Sequence, residues 1–256
     1  MKTLLILFLA TTFSFNAYAQ SIQGDIEEIR KQFKWINSQK DFEKFYFEND
    51  EFTDQTPSEG CEMEIYYKNG NIYKIIESCG GANRIYTTEF YLKNNKLIFV
   101  YANESEYTRI GNGNVTDPEV YYENRIYYKD GKIIRHLEKG ASTIDKPIDY
   151  QKLYSEYQKT INTKVRYGKQ YNLLQGTWIN ADDIDDWFQI TGLKAIHYNK
   201  ENYLKTSRIW FDGRYLWMHN TEYKEEDGKF EVLELTDKKL ELQNKLSGEF
   251  LVYKKK

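Results

Sequence analysis

The segment from Cys61 to Cys79 is centred on Gly70, and Gly70 lies in the turn sequence Asn69-Gly70-Asn71. Runs rich in aromatic and β-branched residues flank it, Met63–Tyr67 and Ile72–Ile76. Such a pattern reads as a β-hairpin. With a three-residue loop Lys68 faces Ile72, and opposed positions sum to 140. Ile65 then faces Ile75, Tyr67 faces Tyr73, and Cys61 faces Cys79. Turn chemistry and cysteine spacing agree on one register, which a strand pair must have if one face is buried. In an oxidising compartment Cys61 and Cys79 form a disulfide. Two reduced, buried cysteines are the alternative. A redox role is disfavoured, because no Cys-x-x-Cys is present.

The turn recurs. Leu92-Lys93-Asn94-Asn95-Lys96-Leu97 and Tyr128-Lys129-Asp130-Gly131-Lys132-Ile133 repeat the pattern. In the second hairpin Phe90 is expected opposite Phe99, and Leu92 opposite Leu97. The spacings of 25 and 36 residues are unequal, whereas a solenoid keeps one period. Three hairpins of one antiparallel sheet are therefore expected. Between the second and third lies the glycine-rich loop Gly111-Asn112-Gly113-Asn114, which lacks the strand-to-helix setting of a phosphate-binding loop.

Before the hairpins, Ile22, Ile26, Ile29, Phe33 and Ile36 fall on one face of a helix, with Glu27, Glu28, Arg30, Lys31 and Lys34 opposite. The stripe is expected to cover the sheet. Phe42, Phe45, Tyr46 and Phe47 either prolong the helix or form an irregular arm. Ile148, Leu153, Tyr154, Tyr157 and Ile161 suggest a second helix, and the polar stretch after it a linker. Six or seven short alternating strands follow, from Phe188 to Tyr253, a meander that curls into a barrel or half-barrel. The fold class is thus α+β, helices on a sheet of three hairpins, followed by a small all-β antiparallel barrel. The expected divisions are a signal peptide 1–19, an α+β domain 20–165, a linker 166–173 and a β domain 174–256.

The first residues point to export. Lys2 precedes an apolar run, Leu4–Phe13, too short to span a bilayer, and Ala17-Tyr18-Ala19 is a small-x-small cleavage motif. No cysteine follows the run to carry a lipid. Cleavage near Ala19 gives a periplasmic or secreted chain. It removes Lys2 and takes the formal charge from -3 to -4. No basic patch suits a phosphate backbone, so nucleic acid is not an expected partner. The rest of the sequence contains no membrane-spanning stretch.

Leu174-x-Gly176-x-Trp178, the late Glu234-Leu235-Thr236-Asp237 with Leu240 and Leu242, and Leu251-Val252-Tyr253 resemble bacterial lipocalin-like domains over roughly the last 80 residues. In that family Gly-x-Trp closes the barrel base, and the Leu-Thr-Asp turn links late strands. The N-terminal part resembles, in style, exported bacterial proteins to which no function is attached.

No Gly-x-Ser-x-Gly elbow, phosphate loop or dinucleotide fingerprint occurs, and no cofactor is expected. Three histidines, His136, His197 and His219, lack zinc-site spacing. Asn180–Asp186 is rich in carboxylates without the calcium-loop pattern, and reads as Asx turns. The expected function is non-catalytic binding, with a small apolar ligand held in the β domain by Trp178, Trp187, Trp210, Trp217 and Tyr253. A protein- or glycan-interaction module is the alternative. Tyr occurs 23 times, and neighbours such as Tyr66 and Tyr67 must point to opposite sheet faces, so a tyrosine-rich face could bind. A carboxylate hydrolase ranks third.

Overall fold

The structure, a computed structural model, describes residues 21–53, 57–110, 114–144, 146–220 and 228–256. The leader with its expected cleavage at Ala19, and Gly111–Gly113, lie outside the described residues. The chain divides into two compact units, Met1–Tyr46 with Ser58–Gln151, and Phe47–Pro57 with Lys152–Lys256. No helix among the described residues is long and apolar enough to cross a membrane.

The first unit is built on a seven-stranded antiparallel sheet. Its strands are β1 (Glu43–Glu48), β2 (Cys61–Lys68), β3 (Asn71–Gly81), β4 (Arg84–Lys93), β5 (Lys96–Glu106), β8 (Glu119–Lys129) and β9 (Lys132–Lys139), in that order across the sheet. β6 (Arg109–Ile110) and β7 (Asn114–Val115) form a separate ribbon between β5 and β8. Phe42–Phe47 thus contributes to an edge strand and does not extend the helix.

The three turns share one solution. Asn69 and Gly70, Asn94 and Asn95, and Asp130 and Gly131 all have positive φ. That is the type I′ geometry, whose twist matches the flanking strands. Each hairpin then slips one register step a few residues back, at Tyr66/Tyr67, Tyr91/Leu92 and Tyr127/Tyr128. Cys61 does face Cys79, and Ile65 faces Ile75. Nearer the turn the expected three-residue loop is replaced by two residues and a bulge. Tyr67 therefore faces Ile72, and Lys68 faces Asn71. The same bulge sets Tyr91, not Phe90, opposite Phe99, while Leu92 faces Leu97 as expected. The two cysteine sulfurs are bonded, with Cα atoms 4.1 Å apart.

Register builds two ladders across the sheet. On one face run Tyr66, Lys74, Tyr91, Phe99, Tyr127 and Arg135. Helix α1 (residues 21–38) lays Ile26, Ile29 and Ile36 against this face, in one core with Tyr91, Phe99 and Tyr127. Full burial of each such side chain is worth about 1.5–3 kcal/mol. Beneath the helix Lys74 pairs with Glu89 at 2.6 Å and reaches Asn37 Oδ1 at 3.2 Å, and Tyr91 donates to Glu89. On the other face run Ile65, Ile75, Phe90, Val100, Ile126 and His136. The first four of these are wholly buried. Consecutive tyrosines Tyr127 and Tyr128 are both buried, so both faces of the sheet are covered at that point.

The second unit holds α2 (Asn49–Phe52), most of α3 (Tyr150–Val165), α4 (Gly168–Leu174) and a closed antiparallel barrel. The stretch expected as a linker thus contains a short helix. The barrel strands are β10 (Gly176–Asn180), β11 (Asp186–Thr191), β12 (Lys194–Asn199), β13 (Asn202–Phe211), β14 (Tyr215–Asn220), β15 (Gly228–Leu235), β16 (Lys239–Asn244) and β17 (Phe250–Lys255). They follow each other up and down, and β10 pairs β17 to close the ring. Eight strands close it where six or seven were expected, because β10, hidden in the Gly-x-Trp motif, is itself a strand. Closure leaves the barrel without a sheet edge.

Candidate functional site

Strand alternation decides where the five aromatic candidates point. Along β13 and β14, Ser207, Ile209, Phe211, Leu216, Met218 and Asn220 are buried, and the residues between them are half-exposed. The buried set faces the barrel interior. Trp210 and Trp217 belong to the other set and lie outside. So does Trp187, which neighbours buried Phe188 on β11. Trp178 and Tyr253 point inward and are buried. The five therefore do not line one pocket.

Trp178 is an interior plug. It is 0% exposed, its indole N–H donates to Leu174 O at 2.7 Å, and Lys255 lies over its ring at 5.1 Å. Tyr253 packs on Phe188 at 4.8 Å, and its hydroxyl reaches Asp186 at 3.5 Å. Beside Phe188 stands His197, whose Nε2 is buried with no hydrogen-bond partner among the described residues. Burial pushes its pKa down to about 4, with Lys205 adding to the effect and Asp186 opposing it. Trp187 stacks on Tyr198 at 4.0 Å and donates to Lys200 O. Its face is already covered by a protein ring.

Trp210 and Trp217 are brought together. They are direct cross-strand partners, with ring centroids 6.5 Å apart and planes 20° apart. Together they form a shelf on the outer wall of the barrel. Helix α3 faces it across a groove of about 490 Å3. Ser155, Gln158, Lys159, Asn162 and Arg166 line the far side. Their spacing of three, one, three and four residues is a single helical stripe. Lys159 Nζ lies 5.7 Å from the Trp210 centroid, and Lys229 stands over Trp217 at 5.2 Å.

Local structure holds this groove. Thr163, fully buried on α3, accepts from Phe211 N at 2.9 Å and donates to Lys159 O at 2.9 Å. The helix is thereby fixed to the end of β13, beside Trp210. Tyr167 packs on Phe211 at 5.7 Å. Gly213 has φ +93, and a Cβ there would approach Tyr167 Cε1 to 2.7 Å, so the β13–β14 turn needs glycine. Asp212 Oδ1 accepts from Arg214 N and Tyr215 N, shaping the same turn.

The other sequence candidates are dispersed. His136 lies on β9 and contacts Asn124 Oδ1 at 2.9 Å, while His219 lies outside the barrel, 6.0 Å from the Trp210 ring. Asn180 and Asp183 accept from Asp182 N and Asp185 N in Asx turns, and Asp186 accepts from Asn180. Among the described residues, one grouping has metal-compatible spacing, Cys61, Glu77 and Cys79, and its thiols are in the disulfide. Comparison of the chain with protein-family models, curated proteins and solved structures finds no match.

Proposed function

We propose that the chain is an exported, non-catalytic binding protein whose groove between α3 and the outer barrel wall takes a carbohydrate. The observation that carries this reading is the near-parallel Trp210–Trp217 pair facing a polar helix stripe. A sugar ring has a C–H face that suits an aromatic surface and an edge of hydroxyls that needs donors and acceptors. Indole supplies the first, and Lys159, Asn162 and Gln158 the second. A wholly apolar ligand would desolvate those polar groups without pairing them, which is unfavourable. Two-carboxylate hydrolysis needs an acid and a second carboxylate flanking the bond, whereas among the described residues one carboxylate, Asp212, lines this groove, and it is engaged in the turn. The up-and-down eight-stranded order supports the lipocalin-like reading of residues 174–256, and the leader motif with the Cys61–Cys79 pair supports export.

Screening the protein against immobilised glycans, followed by titration of the best ligand, tests the proposal. Trp210→Ala and Trp217→Ala are each expected to weaken binding by about tenfold or more, since loss of about 1.4 kcal/mol suffices, with circular dichroism unchanged. Glycan binding indifferent to both substitutions would sink the assignment.

A further inference from the structure

The first unit has a larger groove, of about 740 Å3, along β8. Its floor is Tyr122, Asn124, Ile126 and Tyr128, alternate residues and hence one strand face. Six residues from Tyr122 to Tyr128 make the floor about 20 Å long. Glu138 of β9 stands at the Tyr122 end, where the tyrosine hydroxyl donates to it at 3.0 Å. Asp149 and Tyr150 line the opposite wall.

Three phenols are sunk in this groove. Tyr122, Tyr128 and Tyr150 are 8%, 4% and 5% exposed. A polar ligand in the groove can reach the hydroxyls of Tyr128 and Tyr150. Acidic groups act on all three phenols. Burial raises the Tyr122 and Tyr128 pKa values to about 12, with Glu138 and Asp149 respectively adding to the effect. Burial raises Tyr150 too, and Tyr122, Tyr128, Glu104 and Glu77 reinforce it. Of the basic side chains that also line the groove, Lys132 and Lys146 are exposed, and His136 Nε2 lies 3.4 Å from Glu138.

We propose that this groove binds a linear organic amine, with its ammonium groups held between the tyrosine rings and the Glu138 and Asp149 carboxylates. Aromatic faces attract cations electrostatically, and more strongly when desolvated. Carboxylates form charge-assisted bonds to ammonium N–H groups. The phenol oxygens of Tyr128 and Tyr150 accept from the same groups. Glu138 contacts Tyr122 and Asp149 acts on Tyr128, six residues away, so an amine at each end of an extended chain fits better than a single one.

Calorimetric titration of the full chain with spermidine, butylamine and 1,8-octanediol tests this. Spermidine is expected to bind saturably, butylamine more weakly, and the diol not at all. Glu138→Gln keeps the acceptor for Tyr122, and Asp149→Asn keeps the acceptor for Gln151 N, which Asp149 Oδ1 bonds at 3.1 Å. Each removes only charge, and each is expected to weaken spermidine by about tenfold. Absence of saturable spermidine binding, equal binding of the diol, or wild-type affinity in both variants would overturn the proposal.

Discussion

His197 shows how one side chain with a buried ring nitrogen sets a pH response. Its folded pKa, about 4, lies below the ordinary value of 6.5. As pH falls from 6.5 toward 4, the unfolded chain takes up a proton that the folded one refuses, so stability falls across that window. Replacing it by a ring that does not titrate, His197→Phe, is expected to flatten denaturant-derived stability between pH 6.5 and 4. Glu104 behaves as a carboxylate clip. It is 2% exposed and accepts from Tyr121 OH, Thr143 N and Thr143 Oγ1, and Ser142 also donates to it. Burial alone would raise its pKa, but the Ser142 and Thr143 hydrogen bonds outweigh burial and hold it below the ordinary range. That contribution is present above the unfolded carboxylate pKa and lost as pH falls through the lower folded one. Glu104→Ala leaves several donors unpaired and is expected to lower stability by about 3 kcal/mol, read by urea unfolding. Little of this was legible beforehand. A charged residue inside a strand pattern reads as solvated, and the Glu104 partners Ser142 and Thr143 lie 38 and 39 residues away.

The hairpins were the most legible elements. Asn-Gly and Asp-Gly turns imply a type I′ geometry by their chemistry, and the cysteines fixed the register far from the turn. What escaped was the bulge beside each turn, since one extra residue on one strand leaves no compositional mark. It is why Tyr91 takes the place opposite Phe99 expected of Phe90, on the face that α1 covers, while Phe90 faces Val100. The second turn manages positive φ without glycine. Asn95 instead accepts from Ile72 N at 2.8 Å with its side chain. Asn95→Ala loses that bond and a residue tolerant of φ +59, so a stability loss of about 1–2 kcal/mol is expected. Removing the disulfide by Cys61→Ser with Cys79→Ser frees a closed loop of separation 18, and chain entropy then puts the loss at about 3 kcal/mol. Chemical denaturation of the double variant beside the oxidised parent measures it.

For the molecule as a whole, composition and order of elements were readable, and the direction of side chains was not. Five aromatics close in sequence pattern looked like one pocket. A one-residue offset along a strand sends a side chain to the opposite wall, so Trp178 and Tyr253 went inside and Trp187, Trp210 and Trp217 outside. The helix stripe from Ser155 to Arg166 could have been read as a polar face, yet nothing local says which strands it confronts. The export reading has its own test. Produced with its leader in a bacterium, the protein is expected outside the cytoplasm, trimmed near Ala19, with Cys61 and Cys79 unreactive to alkylation until reduced. Retention inside with two free thiols counts against it. The pairing of β10 with β17 has a further consequence. Trp178 sits opposite Lys255, so the two ends of the barrel stretch are neighbours in space. A short bridge can join them while the chain is reopened at the exposed turn around Leu246, and the reordered sequence is expected to fold to the same ring.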